Sequence, residues 1–195
     1  MELAVVTLGH VHAEDLAPLT TRFTRLEQLV LDVAPRDPLD KHRAELNRAV
    51  DAATCDWILI VRERETIDDA LAAEILAAAE AARAWGFRIR SVPVYAGQPL
   101  RIGIDSGELR LLHRRHLLRR GDVAVQGTVI RLANVLRSVT FATAEEHRKH
   151  LEERAKRNSA VKRALRFAGY VLHTRTTDRN TLRYLWLEAA YDSEA

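Results

Sequence analysis

The chain has a single cysteine among its 195 residues, which excludes an intramolecular disulfide framework and argues against a zinc site built from thiolates. That residue, Cys55, abuts an apolar run, so a buried and inert thiol is expected. Glycine is scarce as well, 8 in all, and no glycine-rich dinucleotide or P-loop motif occurs; Gly9 stands alone after the first apolar run. Redox chemistry that depends on such a cofactor is therefore not expected. There is no Gly-x-Ser-x-Gly, and Ser91, Ser106, Ser138, Ser159 and Ser193 lie in ordinary contexts, which argues against a serine hydrolase. No apolar run approaches the roughly 20 residues of a membrane span. The start, "MELAVVTLGH", lacks a basic region and is too short for a signal peptide, so a cytoplasmic location is expected.

What the chain does have is an ordinary globular balance, 47% hydrophobic and 29% charged, enough for one domain with a real core. The net charge of +3 is unevenly spread. From Arg137 onward there are twelve Lys or Arg against eight Asp or Glu, and "LLHRRHLLRRG" (residues 111–121) adds four arginines and two histidines without an acid. Such stretches are either solvated basic faces or surfaces for phosphate, nucleic acid or an anionic membrane. Nucleic acid is the weakest of these, because neither an aromatic-interleaved strand pattern nor a helix-turn-helix signature is present. The eight histidines include the pairs His10/His12, His113/His116 and His147/His150, none with a third ligand of firm placement, so no metal site is assigned.

Hydrophobic patterning predicts strands at residues 3–8, 28–33 and 57–61, with helices between them. Asp40 is the expected cap of the second helix. The clearest helix is "TIDDALAAEILAAAEAARAWG": Asp68 and Asp69 favour its N-terminus and Gly86 its C-terminal stop. "FRIRSVPVYAG" reads as an edge strand because of Pro93, and "GELRLLHRR" and "AVQGTVIRL" as short strands. Two more helical stretches follow, and in the last of them Leu182, Leu185, Trp186 and Ala189 share a face. Alternating strands and helices imply an α/β fold, with a mostly parallel sheet, helices on both faces and a C-terminal helical tail. A soft boundary divides residues 1–142 from 143–195. Within the tail, "VKRALRFAGYVLHTR" is basic and amphipathic, suited to an anionic inner-membrane surface or to packing on the sheet or a second copy of the chain.

In open parallel sheets, ligands bind outside the carboxyl ends of the strands. Three segments meet that description: Gly9-His10, residues 32–37, and Arg62-Glu63-Arg64-Glu65. Here a resemblance enters. "LNRAVDAATCDWILIVRERETID" resembles the central signature of family 2 glycosyltransferases with the GT-A fold: an Asn on a helix, an Asp-Trp-Ile-Leu strand, then an Asp-x-Asp-Glu turn. Asn47, Asp56, Trp57, Ile58, Leu59 and Glu65 match it. "LAVVTL" and "LEQLVLDVAPRD" resemble the family's first two nucleotide-binding strands, and "ELRLLHRR" its Arg-Leu-Phe-Arg segment. "VQGTVIRLANVLRSVTFATAEEHRKHLEERA" is similar to the tail of the lipopolysaccharide-core glucosyltransferase branch. The resemblance spans roughly residues 3–160.

It implies a reduced GT-A-like (Rossmann-like) nucleotide-sugar-binding domain over residues 1–142, and a role in bacterial surface-glycan metabolism. His10, Asp32, Asp37, Asn47, Arg62 and Arg64 would be nucleotide- and donor-binding residues, and Glu65 and Asp122 the catalytic carboxylates. The expected partners are a nucleotide-diphosphate sugar and a glycan or lipid-linked acceptor, with a peripheral membrane contact or a homodimer through the C-terminal helices. The departures carry as much weight. The family's Asp-x-Asp binds Mg²⁺ or Mn²⁺ at the sugar-nucleotide diphosphate, but Arg62 and Arg64 stand at those positions, so no metal cofactor is expected. Where the branch has a His-Glu pair this chain has Arg120 and Gly121, leaving Asp122 as the nearest carboxylate. The family's third strand has no counterpart. Two readings follow: a metal-independent transferase in which arginines contact the diphosphate, or a catalytically inactive glycosyltransferase-like binding or scaffolding protein.

Overall fold

In the computed structural model, residues 1–33, 39–104, 106–120, 123–154, 156–157 and 160–192 are described. Along the chain the elements are β1 (Glu2–Leu8), α1 (Ala13–Thr20), β2 (Arg25–Leu31), α2 (Arg43–Ala52), β3 (Trp57–Arg62), β4 (Glu65–Thr66), α3 (Asp69–Ala81), β5 (Gly86–Tyr95), β6 (Gln98–Pro99), β7 (Glu108–His113), β8 (Val129–Phe141), α4 (Ala144–Arg154), β9 (Lys156–Arg157), α5 (Ala160–Thr174), α6 (Arg179–Glu188) and β10 (Tyr191–Asp192). The chain divides into two compact units: Met1–Ser91 with Asp105–Leu136, and Val92–Ile104 with Arg137–Ala195.

The first unit is an α/β sandwich, and the reason lies in β1 and β3. Both are near-continuous apolar runs, as a strand covered on two faces requires. Because side chains alternate along a strand, Leu3, Val5, Trp57, Leu59 and Val61 enter one core with Leu16 and Leu19 of α1 and Leu71, Ala72 and Ile75 of α3. Ala4, Val6, Leu8, Ile58 and Ile60 enter a second core with Leu46, Ala49 and Val50 of α2. Helices thus cover both faces, as the sequence predicts.

The sheet order is β2-β1-β3-β7-β5-β8-β4. The expectation of a mostly parallel sheet needs correction, because the sheet is mixed. β1 pairs in parallel with β2 and β3, whereas β7 runs antiparallel to both β3 and β5. A parallel return needs a long crossover, usually a helix. Between β5 and β7 the chain has only the short β6, so β7 returns antiparallel.

Four local expectations are also corrected. Gly86 is not the stop of α3, which ends with Ala82 in the left-handed region at φ 45°. Gly86 instead opens β5, where a Cβ would lie 2.7 Å from both Leu109 Cδ1 and Val125 Cγ2, so any larger residue would have to displace those side chains. The strand carrying Pro93 is interior, between β7 and β8. On the β7 side its pairing covers Gly86–Ile89 and on the β6 side Val94–Tyr95, so Pro93 falls in neither of these ladders. Asp40 does not cap α2; its carboxylate accepts a hydrogen bond from the Val123 amide at 2.6 Å, a tertiary contact. Finally, β8 begins at Val129 and runs 13 residues, well beyond the short strand read in "AVQGTVIRL". Asp68 does cap α3, accepting from the Leu71 amide at 2.9 Å.

The arginine-rich segment after β7 is pinned down. Arg119 pairs with Asp51 at 2.7 Å, and Arg114 and Arg115 reach Asp56 at 3.6 and 3.4 Å. Arg43 donates to the Leu118 carbonyl at 2.6 Å, and Arg114 to the carbonyl of Ala53. His113 anchors the segment in an aromatic nest, edge-on to Trp57 and Trp85 at 5.2 and 5.3 Å, while His116 stacks on Trp85 at 4.0 Å.

The second unit packs Tyr95, Leu100 and Phe141 with Tyr184 and Leu187, and Leu151 with Ala190. His147 is fully buried there, stacked on Phe141 at 4.3 Å and 3.0 Å from a Glu188 carboxylate oxygen. Burial pushes the Glu188 carboxyl up, but hydrogen bonds from His147 and Tyr184 and the charges of His147 and His150 bring it below its ordinary value. On α6, Leu185 is buried, as is Ala189 just after it, whereas Trp186 is 40% exposed and lies beneath the Arg163 guanidinium at 3.9 Å. No helix among the described residues is long and apolar enough to cross a membrane.

Desolvation lowers the pKa of His113, outweighing the attraction of Asp56, while His116, Arg115 and Arg114 push the same way as burial. The folded state therefore holds fewer protons than the unfolded chain once the pH falls below the ordinary histidine value of about 6.5. Its contribution to stability is complete above that pH and declines on acidification. Urea midpoints measured from about pH 7 to 5.5 should fall, and His113→Gln should flatten the profile; an unchanged slope in the variant would assign the dependence elsewhere.

Candidate functional site

The parallel register sets three carboxyl ends side by side. Leu8 of β1 lies opposite Leu31 of β2 and Arg62 of β3. Two backbone bonds close this edge: Gly9 N–H donates to the Leu31 carbonyl at 3.0 Å, and Glu63 N–H to the Leu8 carbonyl at 2.8 Å. Gly9 takes φ 78°, a conformation glycine adopts without strain, and this turns the chain sharply away from the sheet. The segments Gly9-His10, Asp32 and residues 62–65 therefore converge, as strand ends of an open α/β sheet should.

The question is what the turn after β3 does with its four charges. Glu65 is 98% buried, and a carboxylate in that setting needs partners. It accepts a hydrogen bond from the Arg62 amide at 2.7 Å and two from the Arg110 guanidinium at 3.0 and 3.2 Å. Arg110, on β7, is equally buried. Arg110 also lies 3.0 Å from Glu108, which in turn accepts both bonds of a fork from Arg62 Nη2 at 3.0 and 2.9 Å. Glu65, Arg110, Glu108 and Arg62 thus form an alternating network of zero net charge. Glu108 is 38% exposed and Arg62 15%, so the network opens to solvent only at its outer end.

Arg64 caps the turn at φ 62°, a left-handed conformation that is uncommon for a residue with a side chain, and its side chain is exposed. His10 and His12 are exposed too, ring to ring at 5.1 Å, with buried Val11 between them as the anchor. Asp32 is exposed and lines a cleft of about 430 Å³ between β2 and α2, together with Glu45 and Arg48.

Of the residues expected at the site, the carboxyl edge therefore brings together His10, Asp32, Arg62, Arg64 and Glu65. Asn47 is engaged elsewhere. It donates to the Arg119 carbonyl at 3.4 Å, in the segment that leaves β7 beside Trp57, the amino end of β3. Asp37 and Asp122 lie outside the described residues. The expectation for Cys55 holds: it is 1% exposed, with burial and the neighbouring Glu27 raising its pKa. Among the described residues, no three His, Cys, Asp or Glu side chains gather as metal ligands would. The sequence reading missed Arg110 and Glu108. The signal was available: an arginine inside the apolar strand "LRLL" is buried only with an anionic partner.

No protein-family model matches the chain, and no curated protein sequence matches it.

Removing one member of a buried ion pair strands the other. Arg110→Ala should cost about 3–5 kcal/mol in denaturant unfolding, while Glu65→Leu/Arg110→Leu should recover most of that loss. A single variant as stable as the parent would show that the pair is not what holds the ends of β3 and β7 together.

Proposed function

We propose that the protein is a catalytically inactive glycosyltransferase-like module that holds a nucleoside-diphosphate-type anion at the carboxyl edge of β1, β2 and β3. This reading treats the first unit as a reduced GT-A-like, Rossmann-like domain. Its support is the parallel β2-β1-β3 core with helices on both faces and the convergence of three strand ends. One observation carries the inactive form of the reading: Glu65, the carboxylate of the motif, is consumed by Arg110 and the Arg62 amide. A Mg²⁺ or Mn²⁺ ion does not fit the motif, since guanidinium groups occupy its two ligand positions and cannot coordinate a cation. Arg62 is forked onto Glu108. Arg64, His10 and His12 are exposed beside the Gly9 turn, and this is the surface the reading assigns to the anion.

Calorimetric titration of UDP, GDP and CDP, each with manganese and with EDTA, tests this. Binding that is indifferent to EDTA and weakened about tenfold in Arg64→Ala is expected, the size of one charge-assisted hydrogen bond. No binding in any condition, or equal binding in Arg64→Ala, overturns the reading. Sugar turnover in EDTA with a glycan or lipid-linked acceptor would instead establish metal-independent transfer.

The partner reading extends to α5. Val161, Leu165 and Leu172 are 70%, 70% and 77% exposed and fall with Ala168 on one helical stripe. The helix sequence, AVKRALRFAGYVLHT, has three basic side chains and no acid. The stripe itself is apolar, with Lys162 beside it and Arg163 packed over Trp186, an arrangement that suits an anionic bilayer. Full-length protein should co-sediment with phosphatidylglycerol vesicles at low salt, and Leu165→Glu should abolish this. Co-sedimentation with neutral phosphatidylcholine alone, or concentration-dependent dimerisation lost in Leu165→Glu, would discard the membrane in favour of another occupant.

A further inference from the structure

The second unit contains a cleft of about 820 Å³ between the β5–β6 turn and the start of α6, within the size range of small-molecule sites. Its frame is firm. Asn180 donates to the carbonyls of Tyr95 and Gln98 at 2.9 and 3.3 Å, and the Arg101 amide donates to Thr181 Oγ1 at 3.1 Å, with Thr181 fully buried. Part of the lining is apolar, with Leu100 buried and Ile104 presenting 46% of its surface.

The polar lining has one sign in excess. Arg101, Arg179 and Arg183 all face the cleft, and none forms an ion pair or side-chain hydrogen bond among the described residues. The one carboxylate in the lining, Asp178, is already occupied as the cap of α6, accepting from the Thr181 amide at 2.8 Å. Hydrogen bonds from the Thr181 side chain and amide, with the nearby Arg101 charge, outweigh the small effect of its burial and hold its carboxyl below the usual range. A cleft lined by apolar side chains and three guanidinium groups, its only acid committed to the backbone, selects an anion, and selects it with an apolar body attached.

We infer that this cleft binds a small organic anion, a phosphate or carboxylate carried on an apolar body. The site is separate in sequence and chemistry from the carboxyl edge of the first unit and does not depend on that edge holding a nucleotide.

The probe is 1-naphthyl phosphate, compared with inorganic phosphate and 1-naphthol, each titrated into the full chain. The phosphate ester should bind at least about tenfold tighter than either half, because charge pairing and apolar burial add. Arg101→Gln/Arg183→Gln should weaken it about tenfold or more while leaving 1-naphthol unchanged. Both arginines are exposed, so folding is not at risk, and circular dichroism checks that directly. Ile104→Asp should lose the ester as well, and Arg64→Ala should not. Inorganic phosphate binding as tightly as the ester would reduce the cleft to diffuse surface charge. Unchanged affinity in the double arginine variant, or equal loss in Arg64→Ala, would place the probe elsewhere and overturn the inference.

Discussion

The ion pair between Glu65 and Arg110 is the constraint on which the carboxyl edge depends. Two charges taken out of water persist only when each satisfies the other and the remaining lone pairs find donors. Here Glu65 takes the Arg62 amide as well as the Arg110 fork, so the turn after β3 is folded back onto its own strand. That fold-back places Arg64 at the tip in a left-handed conformation, and it aligns the start of β7 with the end of β3. The same bonds answer why a core strand should end in four charges of alternating sign. Half of the cluster, with two residues of β7, forms a paired network buried at its inner end, and the other half is exposed.

The two units treat arginine in opposite ways. In the first, guanidinium groups meet carboxylates: Arg110 with Glu65, Arg62 with Glu108, Arg119 with Asp51, and Arg114 with Asp56. The segment that looks most like a free basic patch in the sequence, residues 111–121, is in large part fastened to α2 and the start of β3. In the second unit, the arginines around the α6 cleft have no such partners among the described residues. A net charge of +3 therefore says little about where an anion would go; local pairing decides it.

Legibility followed the range of the interactions. β1, β3 and α3 could be read from the sequence because their signals are local: unbroken apolar runs for buried strands, and an aspartate cap before a run of alanines. Gly86 was misread because a helix stop and a close approach in a strand leave the same mark. Asp40 was misread because its partner, the Val123 amide, lies 83 residues away. The strand ends at Gly9, Asp32 and residues 62–65 were placed correctly by the rule for parallel sheets. The commitment of Glu65 was not, because Arg110 is 45 residues distant and its burial is visible only once β7 is known to return antiparallel beside β3. The α6 cleft was illegible for the same reason: Arg101 and Arg183 are brought together by the packing of the second unit alone.

The lone thiol has a use beyond its place in the core. Cys55 sits between α2 and β3, its Sγ 3.6 Å from the Glu27 carboxylate that also accepts from the amide and hydroxyl of Thr54. Glu27 belongs to the edge strand β2, so the thiol is covered where the segment before β3 is tied to that strand. A thiol-reactive dye can reach it only when that seam parts. With no other cysteine in the chain, the labelling rate becomes a clock for local opening around the start of β3 and its tie to Glu27, read at a single atom without any engineered probe.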